Sequence, residues 1–170
     1  LQAYLEGEFV NLTAGVVYTN YDRNLCNTDA VAKGGEPLHI GMDFNVNNMA
    51  AGIHVMRSGI AYAVDEIIGA ADTPAVINII KSRYPKNAGF SINAPRKNGR
   101  IRDRVASVNK ALCDPQGNRS YYVNVEKCPN IALGLEQQAY DKNGGPDKTG
   151  GFDHLNDAVG YFIVRQFPIT

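Results

Sequence analysis

The chain has 170 residues, 44% of them hydrophobic and 20% charged, with 17 basic and 17 acidic side chains and a formal net charge of zero. That length suits one domain with a sizeable core, and the composition is that of a soluble globular protein, not a disordered or fibrous one. No apolar run is long enough to span a bilayer, and a neutral total neither favours nor excludes a polyanionic partner, because local patches steer binding.

Residues 1–30 hold Tyr4, Phe9, Val16, Val17, Tyr18 and Tyr21 with no sustained period and read as an irregular strap. Lys33-Gly34-Gly35-Glu36-Pro37 is a linker by composition. Three strand-like runs follow, at residues 39–44, 49–56 and 60–68, with Arg57-Ser58-Gly59 as a tight turn between the last two. Short connections between consecutive strands predict an antiparallel meander. Asp72-Thr73-Pro74 opens a helix, with Thr73 as its cap and Pro74 in the first helical position. Ile77 and Ile80 should face the sheet, and Pro85 closes the helix.

Residues 90–93 read as a short strand. Ile101, Val105, Val108 and Leu112 recur at helical spacing, with Arg102, Arg104 and Lys110 outside the stripe. Residues 121–125 form another short strand, and Pro129 starts a third helix running to about Tyr140. Residues 142–151 contain five glycines or prolines and read as a mobile loop. The final helix carries Leu155, Ala158, Val159, Phe162 and Ile163 on one stripe, which should pack on a core. Cys26, Cys113 and Cys128 form no C-x-x-C pair, and an odd count without a signal peptide reads as reduced thiols in a cytoplasm. Leu1 is not an initiator methionine, so the chain is expected to be a fragment of something longer.

Chemistry concentrates at the start of the final helix, where Asp153, His154 and Asp157 fall within about one turn. Asp153 and Asp157 are four apart and share a face. Hard cations such as Mg²⁺ and Mn²⁺ take oxygen ligands and keep several waters, so one or two carboxylates per element suffice. Asp153 reads equally as a helix cap, and His154 as a surface histidine. Asp43 ends the first strand in an apolar run, where burying a charge is costly. It is either a turn cap or a metal ligand. Asp65 and Glu66 point to opposite faces of the third strand, so only one of them can share a site with Asp43.

Other chemistries fail on spacing. Lys148-Thr149 is preceded by Asp147 and not by the glycine that a phosphate-cradling loop needs, and there is no H-E-x-x-H or G-x-S-x-G. Lys86, Arg96, Lys97, Arg100, Arg102 and Arg104 fall within nineteen residues, and Lys148 lies on the loop before the final acids. Such a cluster is either a solvated face or, beside a metal site, a phosphate-positioning one.

Several of these segments together resemble the C-terminal nuclease domain of a tailed-bacteriophage terminase large subunit. The residues that carry the resemblance are His39-Ile40-Gly41-Met42-Asp43-Phe44, Arg102-Asp103-Arg104-Val105 with Ser107-Val108-Asn109, Leu135-Glu136-Gln137-Gln138-Ala139-Tyr140, and Asp153-His154-Leu155-Asn156-Asp157-Ala158-Val159-Gly160-Tyr161. Tyr4-Leu5-Glu6-Gly7-Glu8-Phe9 resembles the segment that ends the ATPase domain of that family. The resemblance implies an α/β, RNase H-like fold. Its mixed central sheet, an antiparallel three-strand meander plus parallel strands, is flanked by helices. Residues 1–36 would be a strap from the preceding ATPase domain and residues 37–170 the nuclease domain.

The implied function is metal-dependent endonucleolytic cutting of concatemeric viral DNA during packaging, by two-metal-ion hydrolysis with Mg²⁺ or Mn²⁺. Asp43 and Asp157 match the catalytic ligands. Asp153 and His154 lie in the same motif, and Glu66 is an accessory ligand. Arg96, Lys97, Arg100 and Lys148 would contact double-stranded DNA. The resemblance also implies the portal protein, the small terminase subunit and the ATPase domain of the same chain as partners, in the bacterial host cytoplasm and transiently at the procapsid. No membrane is involved, and this fragment, lacking the motor, should bind no ATP.

In that family a further strand ending in an aspartate, then a helix, follows the first long helix. Here Asn87 runs straight into Ala88. Either the segment is deleted or the numbering closes over it, and the second is expected, because without it the first strand is a bare sheet edge. Two other classes compete: another RNase H-like nuclease, such as a resolvase or ribonuclease, and a non-catalytic docking module of the packaging motor.

Overall fold

A computed structural model describes residues 15–87 and 98–169. The expected strand at residues 90–93, the Tyr4 to Phe9 block, Arg96, Lys97 and the junction of Asn87 with Ala88 lie outside the described residues. Four strands form one sheet in the order β1 (His39–Asp43), β2 (Met49–Arg57), β3 (Ile60–Ala70) and β4 (Tyr121–Val123). The first three are an antiparallel meander and β4 joins β3 in parallel, so the mixed sheet expected from the sequence is present. Four helices flank it: α1 (Thr73–Arg83), α2 (Ile101–Leu112), α3 (Pro129–Gln137) and α4 (Asp153–Gln166). Among the described residues, no helix is long and apolar enough to cross a membrane.

The helices divide between the two faces of the sheet. On one face α1 covers Met49, Ala51, Ile53, Val55, Val64 and Ile67 with Val76 and Ile80. On the other, α2, α3 and α4 close over Ala50, Ala61, Ala63, Tyr121 and Val123 with Val108, Leu135, Val159 and Ile163. β2 lies between two strands and two helical layers, so its first seven residues are all buried. The pairing of β2 with β3 is irregular between Ile53 and His54, which turns Val64 and Ile67, three apart, to the same α1-facing cluster. Residues 15–36 are irregular, as expected, but not a loose strap. Val17, Tyr18 and Cys26 are buried in the larger core, and Asn27 bridges to Val123.

Some local expectations need correction. Asp72, not Thr73, caps α1 by accepting from the Ala75 N–H. Val76 takes the buried position instead of Ile77, since the run Val76-Ile77-Asn78-Ile79-Ile80 supports either phase. Phe44 lies beyond β1 and is 66% exposed. α3 ends at Gln137 and β4 at Val123, both short of expectation. Asp153 is the first residue of α4, and the cap position is held by Phe152 with no side-chain bond. Arg104 is buried at 8% exposure, against its expected place outside the α2 stripe.

Two features fix α4 against the sheet. A Cβ at Gly41 would collide with the Ala158 carbonyl oxygen and the Phe162 Cβ, so only glycine lets β1 lie this close to α4. Phe162 then stacks on the His54 ring at a centroid separation of 4.1 Å. His54 is fully buried. Its Nδ1 donates to the His39 carbonyl at 3.3 Å, so its Nε2 accepts from the Tyr121 hydroxyl at 3.0 Å. Burial pushes the His54 pKa down to about 3, keeping the ring neutral.

The unfolded chain binds a proton at His54 below about pH 6.5 while the folded chain does not, so stability is lost as pH falls from there toward the folded pKa. The fold should therefore lose up to about 1.4 kcal/mol of stability per pH unit through this residue. Urea titrations between pH 7 and pH 5 should show a shallower pH slope for His54→Gln than for the wild type. Equal slopes would show that the ring is not held neutral.

Candidate metal centre

The end of β1 and the first turns of α4 meet because α4 lies on β1, and this brings three carboxylates and an imidazole together. The His154 Nδ1 is 3.0 Å from Asp43 Oδ2 and 3.8 Å from Asp153 Oδ2. Asn45 in the turn after β1 has its amide nitrogen 3.1 Å from the His154 ring nitrogens. Asp157, one turn along α4, accepts from the Arg104 guanidinium at 2.6 Å. The side chains of Asp43, Asp153 and Asp157 retain 17%, 11% and 25% exposure, so each is accessible yet poorly solvated.

The acids of the cluster act on one another's charge. Burial raises the Asp157 pKa above the usual carboxylate range. The negative charges of Asp43 and Asp153 raise it further, while Arg104 and, more weakly, Lys148 pull it down. Burial outweighs the ion pair, so the Asp157 pKa stays raised even with a guanidinium in contact. Partly exposed carboxylate oxygens suit Mg²⁺ or Mn²⁺, which need one or two carboxylates and bring their own water. Among the described residues no group of three or more His, Cys, Asp or Glu side chains is arranged to hold an ion.

Of the candidate residues expected from the sequence, Asp43, Asp153, His154 and Asp157 come together. Lys148 is exposed on the loop before α4, close enough for its charge to act on Asp157. Arg100 is exposed at the cap position of α2. Glu66 is on the same face of the sheet but is engaged elsewhere. Its two oxygens accept from the Asn130 and Ile131 N–H groups at 2.8 Å each and from the Asn130 side chain at 3.1 Å, satisfying the start of α3. β2 stands between its strand and that of Asp43. Asp65, on the opposite face, binds Arg83 and the Tyr84 hydroxyl.

Two residues of the site were not expected from the sequence to belong to it. Asn45 passed as a turn former. Arg104 was placed on the outside of α2, although an acid inside an otherwise apolar helix such as α4 calls for a counter-charge from a neighbour.

The domain is of the RNase H-like α/β class. A family model described as the terminase RNase H-like domain matches residues 72–166, more than half of the chain, and the chain belongs to that family. No curated protein matches it. Among solved structures it is similar to the large terminase of the thermophilic bacteriophage D6E, with a TM-score of 0.67 at 16% identity over 89% of this chain and 44% of that one. The chain thus spans less than half of that protein. It is also similar to the P22 large terminase nuclease domain, with a TM-score of 0.64 at 12% identity over 91% of this chain and 94% of that one. The nuclease domain of the bacteriophage SPP1 large terminase, solved with bound Mn, gives a TM-score of 0.57 at 16% identity over 89% and 99%. At these identities the likeness concerns the fold.

The hydrogen bonds at Glu66 separate a structural role from a metal-binding one. Glu66→Ala leaves two backbone donors of α3 without their acceptor, so it should cost about 1–3 kcal/mol of stability. Calorimetric titration of the folded variant with Mn²⁺ should match the wild type. Weakened Mn²⁺ binding with unchanged stability would instead make Glu66 a ligand.

Proposed function

We propose that this chain is a divalent-metal-dependent endodeoxyribonuclease that cuts concatemeric viral DNA during genome packaging. The observation that carries the reading is the convergence of Asp43 from β1 and Asp157 from α4 in one partly exposed cluster with Asp153 and His154. Membership of the terminase family supports it, as does the Mn found in the SPP1 relative.

Asp43 and Asp157 would hold the cation, with Asp153 and His154 beside them. A divalent ion there supplies an activated water and neutralises charge on the phosphodiester. The chain's own groups do the rest. His154, bonded to Asp43 and Asn45, would hold the Asp43 carboxylate in place beside the ion. Lys148, whose charge reaches Asp157, would contact a phosphate there, and Arg96, Lys97 and Arg100 would extend that contact along duplex DNA. The two-ion form of the mechanism needs a further carboxylate, which the resemblance assigns to the segment expected between Asn87 and Ala88. In this reading the domain works in the bacterial host cytoplasm and transiently at the procapsid. Its partners there are the portal, the small terminase subunit and an ATPase domain of the same chain.

Asp43→Asn and Asp157→Asn should each abolish nicking of supercoiled plasmid in Mg²⁺ or Mn²⁺. Asp157→Asn should also lower the melting temperature, because it removes the counter-charge of the buried Arg104 guanidinium. Asp43→Asn should not lower it, since removing one of several crowded carboxylates relieves repulsion. Full cutting by either folded variant would exclude the assignment.

Replacing Arg100 and Lys148 together by alanine should weaken duplex binding. It should also reduce the slope of log affinity against log salt by about 2, one for each phosphate no longer neutralised. An unchanged slope would make both residues ordinary surface charges.

A further inference from the structure

Arg104 is the most constrained cation among the described residues near the site. Its side chain is 9% exposed. Its stem runs over α4 at Gly160, where a Cβ would come within 2.8 Å of Arg104 Cγ and 2.7 Å of its Cδ. Its guanidinium carbon lies over the Tyr161 ring, 4.6 Å from the centroid. One terminal nitrogen binds Asp157 Oδ1 at 2.6 Å. Its Nε is buried with no hydrogen-bond partner among the described residues. A buried donor left unmet costs stability, so packing alone gives no reason to keep a guanidinium here. The arrangement instead serves the carboxylate. Gly160, Tyr161 and Asp157 belong to α4, and Arg104 reaches them from α2.

We propose that Arg104 is the positioning residue for Asp157, fixing one carboxylate oxygen so that the other is held ready for the divalent cation. The inference rests on the proposed role of Asp157 as a ligand. Asp157 Oδ1 is occupied by Arg104, and its Oδ2 has no hydrogen-bond partner among the described residues. Two effects oppose one another at this position. The guanidinium repels an incoming cation, and it also removes the freedom of the carboxylate that must receive it. The short bond, the stacking on Tyr161 and the passage over Gly160 make orientation the larger effect. Hydrogen-bond partners behind a metal ligand typically contribute 10–100-fold in metal affinity or activity. Lysine cannot replace this arginine, because an ammonium neither stacks flat on a ring nor offers a rigid planar fork.

The test uses the full chain and Mn²⁺ alone as the probe, with affinity read by calorimetry and plasmid nicking measured separately. Arg104→Met should bind Mn²⁺ about tenfold or more weakly, with kcat for nicking reduced and KM for DNA little changed. Arg104→Lys should not restore either quantity. Gly160→Ala is the milder second variant. It keeps the arginine and favours the helix, but displaces the stem, and it should weaken Mn²⁺ binding in the same direction. Mn²⁺ affinity that is unchanged or increased in Arg104→Met or Gly160→Ala, with wild-type binding intact, would overturn the positioning role alone. Absence of Mn²⁺ binding in the wild type would overturn the reading of the site, and this inference with it.

Discussion

The contact of α4 with β1 is the constraint on which the rest of the site depends. It exists because position 41 carries no side chain: a Cβ there would occupy the place of the Ala158 carbonyl oxygen. Once the helix sits that low on the strand, the end of β1 and the first turns of α4 must share space, and with them Asp43, His154 and Asp157. The apolar seal around this contact is substantial, with Val159, Phe162 and Ile163 in the core and Phe162 stacked on His54. Burial of those groups is what offsets the cost of crowding three carboxylates at one end.

That crowding links structure to chemistry. A carboxylate in contact with a guanidinium ordinarily titrates low, yet Asp157 is pushed up by burial and by Asp43 and Asp153. Stability alone would favour fewer acids here. Carboxylates gathered at a partly open position are of the kind that hold a hard divalent cation. Glu66 makes the contrast. It too is buried and raised, but its oxygens are met by the first N–H groups of α3, and its charge works as part of the fold.

Much of this was legible in the sequence where local rules decide the outcome. The meander followed from the Arg57-Ser58-Gly59 turn and the runs on either side. The α4 stripe of Leu155, Ala158, Val159, Phe162 and Ile163 is buried as its spacing predicted. Asp43 and Asp157 stood out because each is an acid set in apolar surroundings. What the sequence left open was decided by tertiary neighbours. Asp72 and Thr73 are adjacent and both able to cap α1, and only the backbone turn selects Asp72. Arg104 looked like one more basic residue on an amphipathic helix until α4 was laid beside α2, with Gly160 opposite it. Glu66 could not be sorted from a ligand, because nothing local shows that α3 begins beside it.

The central claim is that Asp43 and Asp157 form one cation site. Anomalous diffraction from a crystal of this chain soaked in Mn²⁺ tests it most directly. The account predicts an anomalous peak about 2.1 Å from a carboxylate oxygen of both residues, with water completing the coordination. A peak bound elsewhere, for instance at Asp65 and Glu66, or no peak at the Asp43 and Asp157 cluster at saturating Mn²⁺, would contradict it.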